Sequence, residues 1–259
     1  ARLEISTFAV SGNHDFDVLP RLVDAVGVEH FHLLGRGGTW ESHTFERGGK
    51  PVLRLVGWSF PEQHYARSPL DDFPTPITTE ATNAAIPTVG LLHADLDQPS
   101  SRYAPVTTAK LGACPVSAWL LGHIHRPSRM QSPGGNLVLY PGSLQPLDPG
   151  ERGSHGPWLI EVSGTRGIDA RQVALASVRY AELELDLSGV NDESAFERVL
   201  FDRVRDDIGR LIQTLPDDAG STAPLAHLVL RLNFVGRTRL HRDLERLGER
   251  ITRDFSPRV

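Results

Sequence analysis

Apolar residues along this chain fall into two kinds of run, and the change comes near residue 178. Before it lie STFAVSG (6–12), EHFHLLG (29–35), PVLRLVGWSF (51–60), PTVGLLHA (87–94), SAWLLGH (117–123), NLVLYPG (136–142) and PWLIEVSG (157–164). They are rich in Val, Leu and Phe and mostly bounded by Gly, Pro or Asn, which predicts strands. Several are apolar throughout, so their sheet is expected to be covered on both faces. Helical spacing appears at 17–26 and around 104–113, and the stretch 162–177 is read as the last core strand plus a connection. No internal repeat or low-complexity tract interrupts the pattern.

After residue 178 the pattern alternates. In RYAELELDL (179–187), Ala181, Leu183, Leu185 and Leu187 share one face while Glu182, Glu184 and Asp186 share the other. A helix follows, with Phe196, Val199, Leu200, Val204, Ile208, Leu211 and Ile212 on one side and Asn191 as its expected cap. AHLVLRLNFV (226–235) alternates again, and a last helix carries Leu240, Leu244, Leu247 and Ile251. The pattern predicts an α/β protein with a layered first domain over 1–177 and a small β-α-β-α domain over 178–259.

Composition narrows the class. At 39% hydrophobic and 23% charged residues, the 259-residue chain has enough apolar content for a real core. No run is long and apolar enough to span a bilayer, and ARLEISTF lacks a signal-peptide pattern, so no membrane partner is expected. A single cysteine, Cys114, cannot form an internal disulfide; it reads as a small apolar filler and favours a reducing, cytoplasmic setting. The net charge of −5 gives no global attraction to nucleic acid, so any DNA contact must come from a local patch.

Candidate chemistry sits at the ends of three predicted strands. LLGHIHRP (120–127) presents His123 and His125 two residues apart just past a strand end, where an extended chain points both the same way. VSGNHDF follows Gly12 with Asn13, His14 and Asp15, and VGLLHADL ends near His93. Ligands bind beyond the carboxyl ends of strands in open α/β sheets, so the three loops can share one rim. Imidazole nitrogens with amide and carboxylate oxygens suit Mn, Fe or Zn, and there is no thiolate cluster for a structural zinc. Taken singly, each has an ordinary explanation: a histidine is usually structural or on the surface, and Gly-Asn-His-Asp is also a good turn. Their order, each after an apolar run, is far more specific.

GNHD, the His of LLHADL and GHIH together resemble the calcineurin-like metallophosphoesterases. YPGS (140–143) and the appended β-α-β-α unit resemble, more narrowly, the SbcD-type DNA repair nucleases. The resemblance implies two packed mixed β-sheets flanked by helices, followed by a capping domain. It implies that Asn13, His93 and His123 ligate one divalent ion and His125 a second, with Mn2+ the expected metal. His14 would protonate the leaving oxygen and Asp15 would orient its ring. The implied activity is metal-dependent phosphodiester hydrolysis, as a DNA exonuclease in double-strand break repair, partnered by an SMC-like coiled-coil ATPase; a homodimer is compatible with it.

The family pattern also calls for an Asp-x-His and a Gly-Asp ahead of GNHD, which supply the carboxylate that bridges both ions. Neither occurs: no Asp is followed two places on by His, and no Gly directly by Asp. The first strands are therefore expected to be missing, about 30 or more residues of strand-helix-strand, rather than eroded. The chain alone should hold at most one ion, weakly, and be an inactive fragment. Two other readings stay open: the same chemistry on another substrate (a cyclic-nucleotide phosphodiesterase or a protein phosphatase), or a non-catalytic scaffold with a vestigial site. For substrate, Arg102 is a candidate phosphate contact, Tyr103 a stacking platform and Arg126 a neighbour of the histidines. Arg242, Arg246, Arg250 and Arg253 form a stripe that Glu245 and Glu249 can neutralise; it is read as a solvated face.

Overall fold

The computed structural model describes residues 5–74, 86–164, 167–213 and 226–255. It divides into two units: Ala1–Gln145 with His155–Leu175, and Pro146–Ser154 with Ala176–Val259. Segment 146–154, which the hydropathy pattern groups with the first domain, thus joins the second, where Arg152 bridges Tyr180.

In the first unit, β1 (Thr7–Ala9) pairs in parallel with β2 (Phe31–Leu33), and α1 (Val18–Val26) connects them. The main sheet contains β3 (Trp40–Arg47), β4 (Lys50–Trp58), β5 (Thr88–His93), β6 (Ala118–Gly122), β7 (Ser128–Gln131) and β8 (Leu137–Tyr140), in the order β3-β4-β5-β6-β8-β7. Its four interior strands run parallel, while the two edge strands are antiparallel to their neighbours. The fold is α/β. Parallel strands need crossover connections, one of which carries α2 (Thr108–Ala113), and both sheet faces become covered.

Alternation along each strand sorts side chains between the faces. Val89, Ala118 and Leu137 turn toward β9 (Trp158–Ser163) and β10 (Gly167–Gln172), an antiparallel ribbon contributing Trp158, Ile160 and Ile168. Trp58, Leu92, Trp119, Leu121 and Tyr140 turn to the other face, where Leu111 of α2 and Phe73 complete the core. Gly90 lies opposite Trp119 across the β5–β6 ladder, and a Cβ there would stand 2.3 Å from the indole Cε3. Glycine is required at this point because the indole occupies the place of its side chain.

The second unit pairs β11 (Val178–Asp186) in parallel with β12 (His227–Val235), and α3 (Glu193–Gln213) precedes β12. Leu183, Leu185 and Leu187 pack with Phe196, Leu200 and Val204 of α3, with Leu240, and with Leu247 of α4 (Leu244–Phe255). The side chains of Ile208, Leu211 and Ile212, assigned to the same face by the periodicity, lie outside the described residues. The cap of α3 is Asp192, whose carboxylate accepts from the Ala195 N–H at 2.8 Å; Asn191 instead donates to the Gly189 carbonyl. The arginine stripe of α4 is neutralised mainly from α3, since Arg246 and Arg250 both reach Glu193 and Arg250 also reaches Glu197.

Candidate metal centre

Three segments far apart in sequence meet beyond the carboxyl ends of β1, β5 and β6. Asn13, four residues past β1, is buried; His93 closes β5; His123 follows β6 directly. The Asn13 Oδ1 lies 2.8 Å from His93 Nε2 across 80 residues of chain, and His123 Nδ1 lies 3.2 Å from the same nitrogen. An amide oxygen has no hydrogen to give, so the shorter contact puts the proton on His93 Nε2. The Asn13 oxygen and the His123 nitrogen thus crowd the same imidazole nitrogen. Ligands bonded to one cation at about 2.1 Å stand roughly 3 Å from one another, which is the spacing seen here. The donor set therefore fits one first-row divalent ion in the place of that proton. It comprises two imidazoles and an amide; among the described residues no group of three or more His, Cys, Asp or Glu is arranged to hold a metal.

Glycines fix the central imidazole. A Cβ on Gly12 would stand 2.5 Å from His93 Cε1 and Nδ1, and one on Gly122 would stand 2.8 Å from Nδ1. The ring thus lies against bare backbone from two other strand ends. Burial lowers the pKa of His93 to about 4, helped by the neighbouring His123 and His14 and opposed by Asp95; His125 adds a smaller push in the same direction. Its imidazole is neutral at pH 7, the form a metal needs.

Backbone strain marks the next residue. His123 has φ +97°, a conformation that L side chains rarely adopt. His125 follows in an exposed position, and its carbonyl accepts from the Ser143 N–H at 2.9 Å, which ties YPGS to GHIH. Gly142 makes this approach feasible: it has φ +77°, and a Cβ there would lie 2.6 Å from the His125 oxygen. Between these segments opens a cleft of about 360 Å³ lined by Gly122, His123, Ile124, His125, Gly142 and Ser143. The buried Tyr140 donates its hydroxyl proton to the Ala94 carbonyl at 2.7 Å and so holds the turn that follows His93.

Asp15 makes no hydrogen bond to His14 among the described residues. Its Oδ1 accepts from the Gly12 N–H at 2.7 Å, because a carboxylate three residues on captures the free amide of this turn. His14 is exposed and makes no hydrogen bond with a described residue. Among the substrate candidates, the Tyr103 ring lies 5.1 Å from the His123 ring, Arg102 is exposed on the same loop, and Arg126 is exposed beside the cluster. Asp95 is the residue that reading the sequence misses: its Oδ1 is 3.4 Å from His123 Nε2. The signal was its position two places after His93, on the same side of an extended chain. His155, expected to be structural or on the surface, is buried and hydrogen-bonded to Ser143.

A larger cavity, about 730 Å³, lies in the second unit between Asn191 and the turn carrying Arg237, Thr238, Arg239 and His241. It brings together no imidazole pair or carboxylate, so the reactive groups concentrate in the first unit. No protein-family model matches the chain, and no curated protein matches it. Among the described residues no helix is long and apolar enough to cross a membrane.

Proposed function

We propose that this chain is a metallophosphoesterase of the SbcD type, acting on DNA phosphodiesters as an exonuclease in double-strand break repair. The observation that carries the reading is the convergence of Asn13 Oδ1, His93 Nε2 and His123 Nδ1 from three strand ends. Its wider form includes a layered metallophosphoesterase core, a cap formed by the second unit, an SMC-like ATPase partner, homodimerisation and a cytoplasmic setting. The β9–β10 ribbon over one face of the main sheet supports the layering, and the single cysteine supports the compartment.

If bound here, Mn2+ would supply electrostatic stabilisation of phosphate charge and an activated water. The chain's own groups do the rest. Asn13, His93 and His123 would hold the ion through one amide oxygen and two imidazole nitrogens. His14, exposed beside Asn13, would hand a proton to the leaving oxygen without first losing a partner, and Arg102, Tyr103 and Arg126 would meet the substrate's phosphates and bases. His125 would belong to a second ion; the Asp-x-His and Gly-Asp motifs that supply its carboxylates in the family pattern do not occur in the sequence.

Mn2+ titration of the chain tests the reading first: one weak equivalent is expected, lost in His93→Ala, with no robust nuclease activity. Strong Mn2+-dependent cleavage of DNA by these residues alone would count against a two-ion site needing the front motifs. With Asp-x-His and Gly-Asp segments supplied ahead of residue 1, His14→Ala should keep its metal and lose roughly 10²–10⁴-fold in turnover on DNA. The loss should be smaller on a nitrophenyl ester, whose leaving group needs no proton. His123→Ala should instead lose metal and all activity alike. Equal metal loss in both variants would remove His14 from the acid role, and full metal occupancy without hydrolysis of any phosphoester would favour the scaffold reading.

A further inference from the structure

We infer that Asp95, held by Ser101, is a positioning residue that sets which nitrogen of His123 faces the metal centre. This inference rests on the metal reading above and adds residues to it. A neutral imidazole carries one N–H, and its two nitrogens point away from each other. His123 Nδ1 looks into the cluster, 3.2 Å from His93 Nε2, while Nε2 looks out at Asp95 Oδ1, 3.4 Å away. A carboxylate on that side favours the Nε2–H form and leaves the Nδ1 lone pair for the cation.

The carboxylate is itself fixed. Ser101 donates its hydroxyl proton to Asp95 Oδ2 at 2.5 Å, and its oxygen accepts from the Tyr103 N–H at 3.0 Å. Asp95 N–H donates to the Tyr103 carbonyl at 3.0 Å, Val106 N–H returns to the Asp95 carbonyl at 2.9 Å, and Leu96 bridges Val106. Loop 95–106 thus closes on itself behind the His123 ring and lays the Tyr103 ring against it. Asp95 cannot join His93 and His123 on one ion from this side, since it meets the nitrogen turned away from them. Its side chain is only 15% exposed, a costly place for a carboxylate unless it has this partner.

The test uses the 259-residue chain with two readouts: the ring-nitrogen NMR shifts of His123 without metal, assigned by their loss in His123→Ala, and Mn2+ affinity. The wild type should carry the proton on Nε2. Asp95→Ala should abolish that preference and weaken Mn2+ binding about 10–100-fold, the usual weight of a group behind a ligand. Asp95→Asn, which can still accept from Nε2–H, should recover most of both. Ser101→Ala leaves the carboxylate in place and should shift both readouts partway; it carries the test if Asp95→Ala does not fold. The inference is overturned if His123 is protonated on Nδ1 in the wild type, or if neither Asp95→Ala nor Ser101→Ala moves the tautomer. A chain that binds no Mn2+ but whose tautomer follows Asp95 would keep the positioning role and sink the metal reading instead.

Discussion

His123 is held at φ +97°, and such a conformation costs on the order of 1–3 kcal/mol in a residue with a side chain. Alanine keeps the Cβ that causes the strain, whereas glycine removes it. His123→Gly should therefore be more stable than His123→Ala by about 1 kcal/mol, although glycine is normally the destabilising choice of the two. Both should lose Mn2+ binding. Urea midpoints of the pair decide it, and an alanine variant as stable as the glycine one would mean the backbone relaxes. His93 gives a pH prediction. Its folded pKa of about 4 lies below the ordinary 6.5, so the unfolded chain takes up its proton first as pH falls. The metal-free protein should be unaffected by this group above pH 6.5 and lose on the order of 3 kcal/mol as pH drops through the window to about 4. The slope in that window should be missing from His93→Gln, and an unchanged slope would show His93 protonating freely in the folded state.

Gly90 and Trp119 form a unit across β5 and β6, and their fit is tighter than any sequence pattern conveys. Gly90→Ala should cost about 1–3 kcal/mol or more by forcing the indole out of place, read as a lower denaturation midpoint. In a Trp119→Leu background the same change should cost far less, and additive penalties would show that the contact is not the cause. Element by element, the interior strands were legible because burial on both faces leaves unbroken apolar runs such as TVGLL and AWLLG. The two main-sheet strands that reading the sequence did not find, β3 (WESHTFER) and β7 (SRMQ), are its two edges. Edge strands face water along one side and carry charges that discourage pairing with other chains, so their hydropathy signal disappears. The site followed the same division. Asn13, His93 and His123 could be placed because each ends an apolar run. The roles of Asp95 and Asp15 depended on which backbone or ring atom each carboxylate meets, and periodicity carries no information on that.

At the scale of the whole chain, each unit has its own buried cluster, one around Trp58, Leu92 and Trp119 and one around Phe196, Leu200 and Leu247. Units with separate cores should respond separately to cavities. Phe196→Ala should destabilise the second unit by about 3–5 kcal/mol while leaving Mn2+ affinity at Asn13, His93 and His123 unchanged. Calorimetry should then show an early transition belonging to the second unit alone; one shared transition, or weakened Mn2+ binding, would show that the units stabilise each other.

The slot in which His93 lies has a consequence for protein engineering. The ring rests on Gly12 and Gly122, each of which directly precedes a donor residue of its own, Asn13 and His123. The spacing between donor atoms is therefore stored in interlocking pairs of residues, a glycine that makes room and a neighbour that fills the next position. Transplanting the donors alone onto another parallel sheet would leave side chains where the ring must lie. A graft that transfers Gly12-Asn13, His93 and Gly122-His123 together should keep the geometry, and one with alanine at either glycine should not.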